Sequence, residues 1–134
     1  MSKLKPPFHD ARIAVLDDDP DISIIIKLWL GKAGYHNVFL SQDQSRIMHD
    51  IEYEKLDLLL LDWEMPGLSG LEVLKQVRKH NKELPIIMLT NVQDRERVMQ
   101  AISSGVTDFV IKTALKEALA EKVGKVLDKI KTKK

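Results

Sequence analysis

No cysteine occurs anywhere in the chain, so neither a disulfide framework nor a thiolate metal site is open to it. A reducing compartment is compatible with that. An excess of one charge is also missing: 21 Lys and Arg stand against 20 Asp and Glu, a formal net charge of +1. That balance argues against a surface built wholly for nucleic acid. No apolar run approaches the roughly 20 residues that a membrane-crossing helix needs. The basic start, MSKLKPPFHDARIAVLDDD, has no apolar segment before its acids, so a signal peptide is not expected and a cytoplasmic location is. What is present, 44% hydrophobic and 31% charged residues in 134, is the balance of one compact globular domain.

Short β-rich runs recur at Arg12 to Leu16, Asn37 to Leu40, Asp57 to Leu61, Pro85 to Thr90 and Asp108 to Ile111, with helical patterns between them. The first helix starts at Pro20, places Ile22, Ile25, Ile26, Trp29 and Ala33 at helical spacing, and stops at Gly34. A second spans about Ser45 to Tyr53 with Ile47, Met48 and Ile51 on one face. In the third, Ser69 and Glu72 of SGLE form a capping box, and Leu71, Leu74 and Val77 point inward. The fourth covers Asp94 to Ser104 and is expected to bury Val98, Ala101 and Ile102. The fifth runs from Leu115 with Leu119, Val123, Val126 and Ile130 as its stripe, interrupted by Gly124. Alternating strands and helices call for a parallel sheet covered on both faces, and uninterrupted apolar strands such as DLLLL fit burial on both sides.

In such sheets ligands bind beyond the carboxyl ends of the strands. The first strand runs into Asp17, Asp18 and Asp19, the third into Asp62, the fourth ends in Thr90, and Lys112 follows the last. Each has an ordinary explanation. Asp19 before Pro20 is a helix N-cap and Asp21 suits the helix dipole. Thr90 taken alone is a strand-end hydroxyl and Lys112 a solvated lysine. Capping does not account for Asp17 and Asp18, however, and acids crowded beside Asp62 repel one another unless a cation is present. Magnesium fits such a site better than calcium, and without cysteines or a spaced His pair zinc has little to hold it. With magnesium, Lys112 and Thr90 neutralising an incoming phosphoryl group, Asp62 is placed to attack phosphorus.

The motifs VLDDDPDI, LLLLDWEMPGLSGLEVL, IIMLT and GVTDFVIK resemble those of the receiver domains of two-component response regulators, over about Arg12 to Ile130. The resemblance implies a flavodoxin-like (CheY-like) doubly wound α/β fold, with a five-stranded parallel sheet of order 2-1-3-4-5 and five helices. It implies an N-terminal extension over residues 1–11, a receiver domain over 12–130 and a basic tail over 131–134. Asp62 becomes the phosphoacceptor. Asp17, Asp18, Asp62 and the backbone carbonyl of Glu64 become the magnesium ligands, Thr90 and Lys112 the phosphoryl-binding pair, and Thr90 and Phe109 the switch. A histidine kinase or histidine phosphotransfer protein would supply the phosphoryl group. The face made by the fourth helix, fifth strand and fifth helix would act on a downstream partner or output domain, or support a phosphorylation-dependent homodimer. No direct nucleic-acid binding is expected, because the lysines of the last helix complement its dipole, and no membrane binding is expected, because the apolar stretches fall far short of a span.

Three positions depart from the family pattern. Thr113 stands where proline is usual; a cis bond before Thr would cost about 3 kcal/mol, so a trans peptide and a differently aimed Lys112 are expected. Asn91 follows Thr90 in place of a small residue, where it would narrow the site or donate to the phosphoryl group. Glu64 brings a carboxylate that would repel that group, pair with Lys112 or alter water attack. Two readings stand beside the switch. A haloacid dehalogenase-type phosphatase would use Asp17-x-Asp19, although Pro20 and Asp21 continue that motif poorly and LLLLDWEMPG is left unexplained. A receiver-like binding module would work without phosphorylation.

Overall fold

In the computed structural model, which describes residues 10–41, 43–91 and 94–132, with side chains up to residue 129, strands and helices alternate from one end to the other. Strand β1 (Ile13–Leu16) leads through α1 (Pro20–Lys32) to β2 (Val38–Ser41). A short 3-10 turn (Gln44–Arg46) and α2 (Ile47–Tyr53) precede β3 (Leu58–Asp62), α3 (Gly70–His80) and β4 (Ile86–Thr90). Helix α4 (Arg95–Ser103), β5 (Asp108–Ile111), a second 3-10 turn (Lys112–Ala114) and α5 (Leu115–Thr132) complete the order. Residues 1–9 of the expected extension, 133–134 of the expected tail and the Ile130 side chain lie outside the described residues.

The sheet is parallel throughout, in the order β2-β1-β3-β4-β5, as the resemblance implied. Side chains alternate between its faces. Ile13, Val15, Leu58, Leu60, Ile87 and Leu89 pack under α1 and α5 with Ile26, Leu30, Leu119 and Val123. Ala14, Leu16, Leu59, Leu61, Ile86 and Met88 pack on the other face with Ile47, Ile51, Leu74, Val77 and Ala101. Two-sided burial is why these strands read as solid apolar runs rather than alternating ones. The Gly124 interruption of α5 has a neighbour: a Cβ there would stand 3.5 Å from the hydroxyl of Tyr35, which is itself buried.

Helix starts follow the local chemistry. Asp19 caps α1 by accepting from the Asp21 amide, with Pro20 in the first turn, and Ser69 and Glu72 form the reciprocal box on α3. Two helical faces differ from the sequence expectation. In α1, Ile25 is exposed and Ser23, Ile26 and Leu30 form the buried line. In α4, Ile102 is 57% exposed, Val98 is half-buried, and Ala101 is the buried residue. One residue step turns a helix by about 100°, so seating α4 on Ala101 swings Ile102 outward and brings Arg97, one turn before Ala101, to the inner edge. What draws that arginine inward lies at the ends of the strands.

Candidate functional site

The carboxyl ends of β1, β3 and β4 meet at one edge. Asp17 directly follows β1 and Asp62 ends β3, and both are 0% exposed, while Asp18 is open to solvent. The Asp19 amide donates to Asp17 Oδ1 at 2.9 Å, which fixes that carboxylate. Lys112 Nζ lies 2.8 Å from Asp62 Oδ1 and 3.2 Å from Asp17 Oδ2. Two buried acids against one ammonium leave a surplus of negative charge. Burial, opposed by Lys112 and reinforced by Asp17, pushes the Asp62 carboxyl up from 3.8 to about 7. Burial acts to lower Lys112, but its contacts with Asp62 and Asp17 outweigh that and leave it raised.

Among the described residues, no donor apart from Lys112 reaches Asp17 Oδ2 or either carboxylate oxygen of Asp62, although all are buried. Asp17, Asp18 and Asp62 each offer an oxygen within 4.8 Å of the others. Buried oxygens lacking donors, in an all-oxygen set open to solvent on the Asp18 side, suit a hard divalent cation that keeps some of its water. Magnesium therefore fits these residues.

The segment after Asp62 is built to close tolerances. Gly70, the first residue of α3, donates its amide to the Trp63 carbonyl at 2.9 Å. A Cβ on Gly70 would stand 2.1 Å from the Asp62 carbonyl oxygen and 2.8 Å from Trp63 Cα. Gln44 reaches across from the other side: its amide nitrogen donates to the carbonyls of Pro66 at 3.2 Å and Leu68 at 2.6 Å, and its oxygen accepts from the Leu68 amide at 3.2 Å. Neither residue was singled out from sequence. Glycine directly after a serine cap was an available signal for Gly70, whereas Gln44 gave none.

Thr90 is buried at the end of β4, and its hydroxyl donates to Glu64 Oε1 at 3.3 Å. Phe109, opposite Met88 in the sheet, is half-buried and packs with the cluster beneath α3 and α4. A cavity of about 220 Å³ borders Thr90, Phe109, Trp63, Val98 and Ala114. Asn91 is exposed.

Two expectations need correction. The described peptides include no cis bond, as expected at Lys112–Thr113, yet Lys112 is not turned away: the 3-10 turn that it opens delivers its ammonium to Asp62. Nor does Glu64 pair with Lys112. Its Oε1 takes the Arg97 guanidinium of α4 at 2.6 Å.

A doubly wound sheet with a buried acid pocket and a lysine at its carboxyl edge is the architecture of a CheY-like receiver domain. The sequence matches the family described as response regulator receiver domain over residues 13–124. It is 35% identical over 125 residues to chemotaxis protein CheY1 of Helicobacter pylori, covering 87% of this chain and 96% of the relative. With chemotaxis protein CheY of Pseudomonas aeruginosa it shares 30% identity over 121 residues, 89% of this chain and 98% of that one. The crystal structure of a CheY-like receiver domain protein from Methanospirillum hungatei JF-1 matches with a TM-score of 0.84 at 26% identity, over 93% of this chain and 99% of that chain. This chain belongs to the response regulator receiver domain family of two-component signalling.

Proposed function

We propose that the chain is a phosphorylation-dependent switch in which Asp62 accepts a phosphoryl group from a histidine kinase or histidine phosphotransfer protein. The observation that carries this reading is the buried Asp62 carboxylate, whose two oxygens meet no donor among the described residues other than Lys112 and which faces Asp17 and Asp18 at the open edge of the sheet. An Asp62 oxygen attacks phosphorus, the bond from phosphorus to the donor nitrogen breaks, and its electron pair leaves with the imidazole. Asp17, Asp18, Asp62 and the Glu64 carbonyl would hold magnesium, which when bound offsets the negative charge of the phosphoryl oxygens. Lys112 contributes a fixed positive charge and Thr90 a hydroxyl donor to those oxygens. Autodephosphorylation is hydrolysis of the same acyl phosphate by water, and Asn91 and Glu64 at the rim tune it.

Thr90 and Phe109 move together when the phosphoryl group arrives, favouring a minor arrangement of α4 and β5 that already exists. The face of α4, β5 and α5 then engages a downstream protein or an output domain. Residues 12–130 form the switching unit, working in the cytoplasm; no described helix is long and apolar enough to cross a membrane. Intact mass after incubation with acetyl phosphate tests the reading. One phosphoryl group gained only with magnesium, and not by Asp62→Asn, supports it. No gain in folded protein that also fails to bind beryllofluoride overturns it in favour of a binding module that works without phosphorylation.

A further inference from the structure

We infer that Arg97, on α4, is a positioning residue of the acceptor site: through Glu64 it keeps the Thr90 hydroxyl turned away from the phosphoryl group and so sets the threshold of the switch. The inference deepens the proposed phosphoacceptor role of Asp62 and rests on it.

The geometry is that of a shared acceptor. Glu64 Oε1 receives the Arg97 guanidinium at 2.6 Å and the Thr90 hydroxyl at 3.3 Å. The guanidinium also lies 5.2 Å from the centre of the Trp63 ring, so the arginine is held from two sides by the residues directly after Asp62. Arg97 and Glu64 are each about one-third exposed, and Glu64 Oε2 is buried without a donor among the described residues. A carboxylate in that position, beside a pocket with surplus acid, is costly unless paired, and the Arg97 contact supplies the pairing. It also accounts for the seating of α4, which turns Arg97 inward and Ile102 outward.

A threonine hydroxyl carries one proton. Thr90 therefore cannot donate to Glu64 and to a phosphoryl oxygen on Asp62 at the same time. Each phosphorylation event must first take that proton from Glu64, and Arg97 holds Glu64 where the competition occurs. The contact links the loop between β3 and α3 to α4, so a change at Thr90 reaches α4 through the Glu64 carboxylate that both donors share.

A simpler role for Arg97 would be neutralising the charge of Glu64. The two roles predict opposite signs. If Arg97 only neutralises, removing it weakens the binding of an anionic phosphoryl mimic while removing Glu64 strengthens it. If Arg97 positions, removing either frees Thr90 and strengthens binding. Beryllofluoride affinity with magnesium, read from Trp63 emission in a Trp29→Phe chain, separates them. Arg97→Met keeps an aliphatic stem on the Trp63 ring, and Glu64→Ala removes the shared acceptor. Each is expected to bind about two- to tenfold tighter, the range of one contested hydrogen bond, with no further gain in the double variant. In a Thr90→Val background, where no hydroxyl remains to be held, both gains should vanish. Opposite signs for the two variants, or gains that survive Thr90→Val, overturn the inference and leave the phosphoacceptor reading standing. Failure of the parent chain to bind beryllofluoride overturns both.

Discussion

Replacing Gly70 by alanine is expected to damage this protein far more than its place in a helix suggests. By propensity the change should help, since alanine is favoured over glycine by up to about 1 kcal/mol inside a helix. The obstacle is space. The new Cβ would stand 2.1 Å from the Asp62 carbonyl oxygen, 2.8 Å from Trp63 Cα and 2.9 Å from the Asp62 carbonyl carbon. Real Cβ contacts essentially never fall below 3.0 Å, so the start of α3 and the end of β3 must separate by roughly an ångström. All three obstructing atoms are backbone, which cannot rotate aside as a side chain does. The move would also strain the hydrogen bond from the Gly70 amide to the Trp63 carbonyl, now 2.9 Å. Overpacking in well-packed regions costs about 1–3 kcal/mol, and a backbone clash beside a buried charge belongs at or above the upper end, about 3 kcal/mol net of propensity. Urea unfolding measures it. Gly31→Ala in α1 is the control: a Cβ there meets nothing within 4 Å, and the variant should match or exceed the parent by up to about 1 kcal/mol. Because the displaced atoms carry Asp62, folded Gly70→Ala protein should also take up acetyl phosphate more slowly. A Gly70→Ala chain within about 1 kcal/mol of the parent, with unchanged uptake, would refute the reasoning.

Asp62→Asn should stabilise the metal-free protein in a pH-dependent way. The folded carboxyl is pushed up to about 7 from 3.8, so between those values the native state holds a proton that the unfolded chain has lost, and stability falls as pH rises. The gain from asparagine is therefore full above about 7 and absent below about 4; equal gains in denaturation at both ends would contradict the assigned cause. Gln44→Ala should cost about 1–2 kcal/mol by releasing the carbonyls of Pro66 and Leu68, and hydrogen exchange at the Leu68 amide should quicken. Unchanged Leu68 exchange would show that the loop holds itself.

The central strands β1, β3 and β4 were legible because each is buried on both faces, and the site was legible because Asp17 and Asp62 close the apolar runs of β1 and β3 with a charge. A carboxylate at the tip of four fully buried leucines is hard to explain as packing. What sequence could not supply was the direction of side chains whose partners lie far along the chain. Arg97 meets Glu64 33 residues away and Gln44 meets Leu68 24 residues away, and no local period encodes either meeting. Helical periodicity placed Val98, Ala101 and Ile102 inside α4; Ala101 is buried as expected, but the helix turns Ile102 outward and an arginine inward to Glu64. Lys112 shows the reverse case: Thr113 broke the expected pattern, yet the 3-10 turn brought the ammonium to Asp62 all the same.

The cost of Asp62 explains why the surrounding frame is so apolar. Leu58, Leu59, Leu60 and Leu61 are all 0% exposed, and each fully buried leucine contributes about 1.5–3 kcal/mol. The strand that presents the acid therefore outweighs the several kcal/mol that an underpaired buried carboxylate costs. A rigid frame also concentrates change. With β1, β3 and β4 locked by two packed layers, new charge at Asp62 cannot be absorbed by bending the sheet. It must be met by side chains that still have somewhere to go. Thr90 and Phe109 border the cavity of about 220 Å³ between β5 and α4, and Arg97 on its rim is tied to the acceptor loop through Glu64 and the Trp63 ring. Rigidity on the leucine side and free volume on the α4 side give a local charge change one direction in which to act.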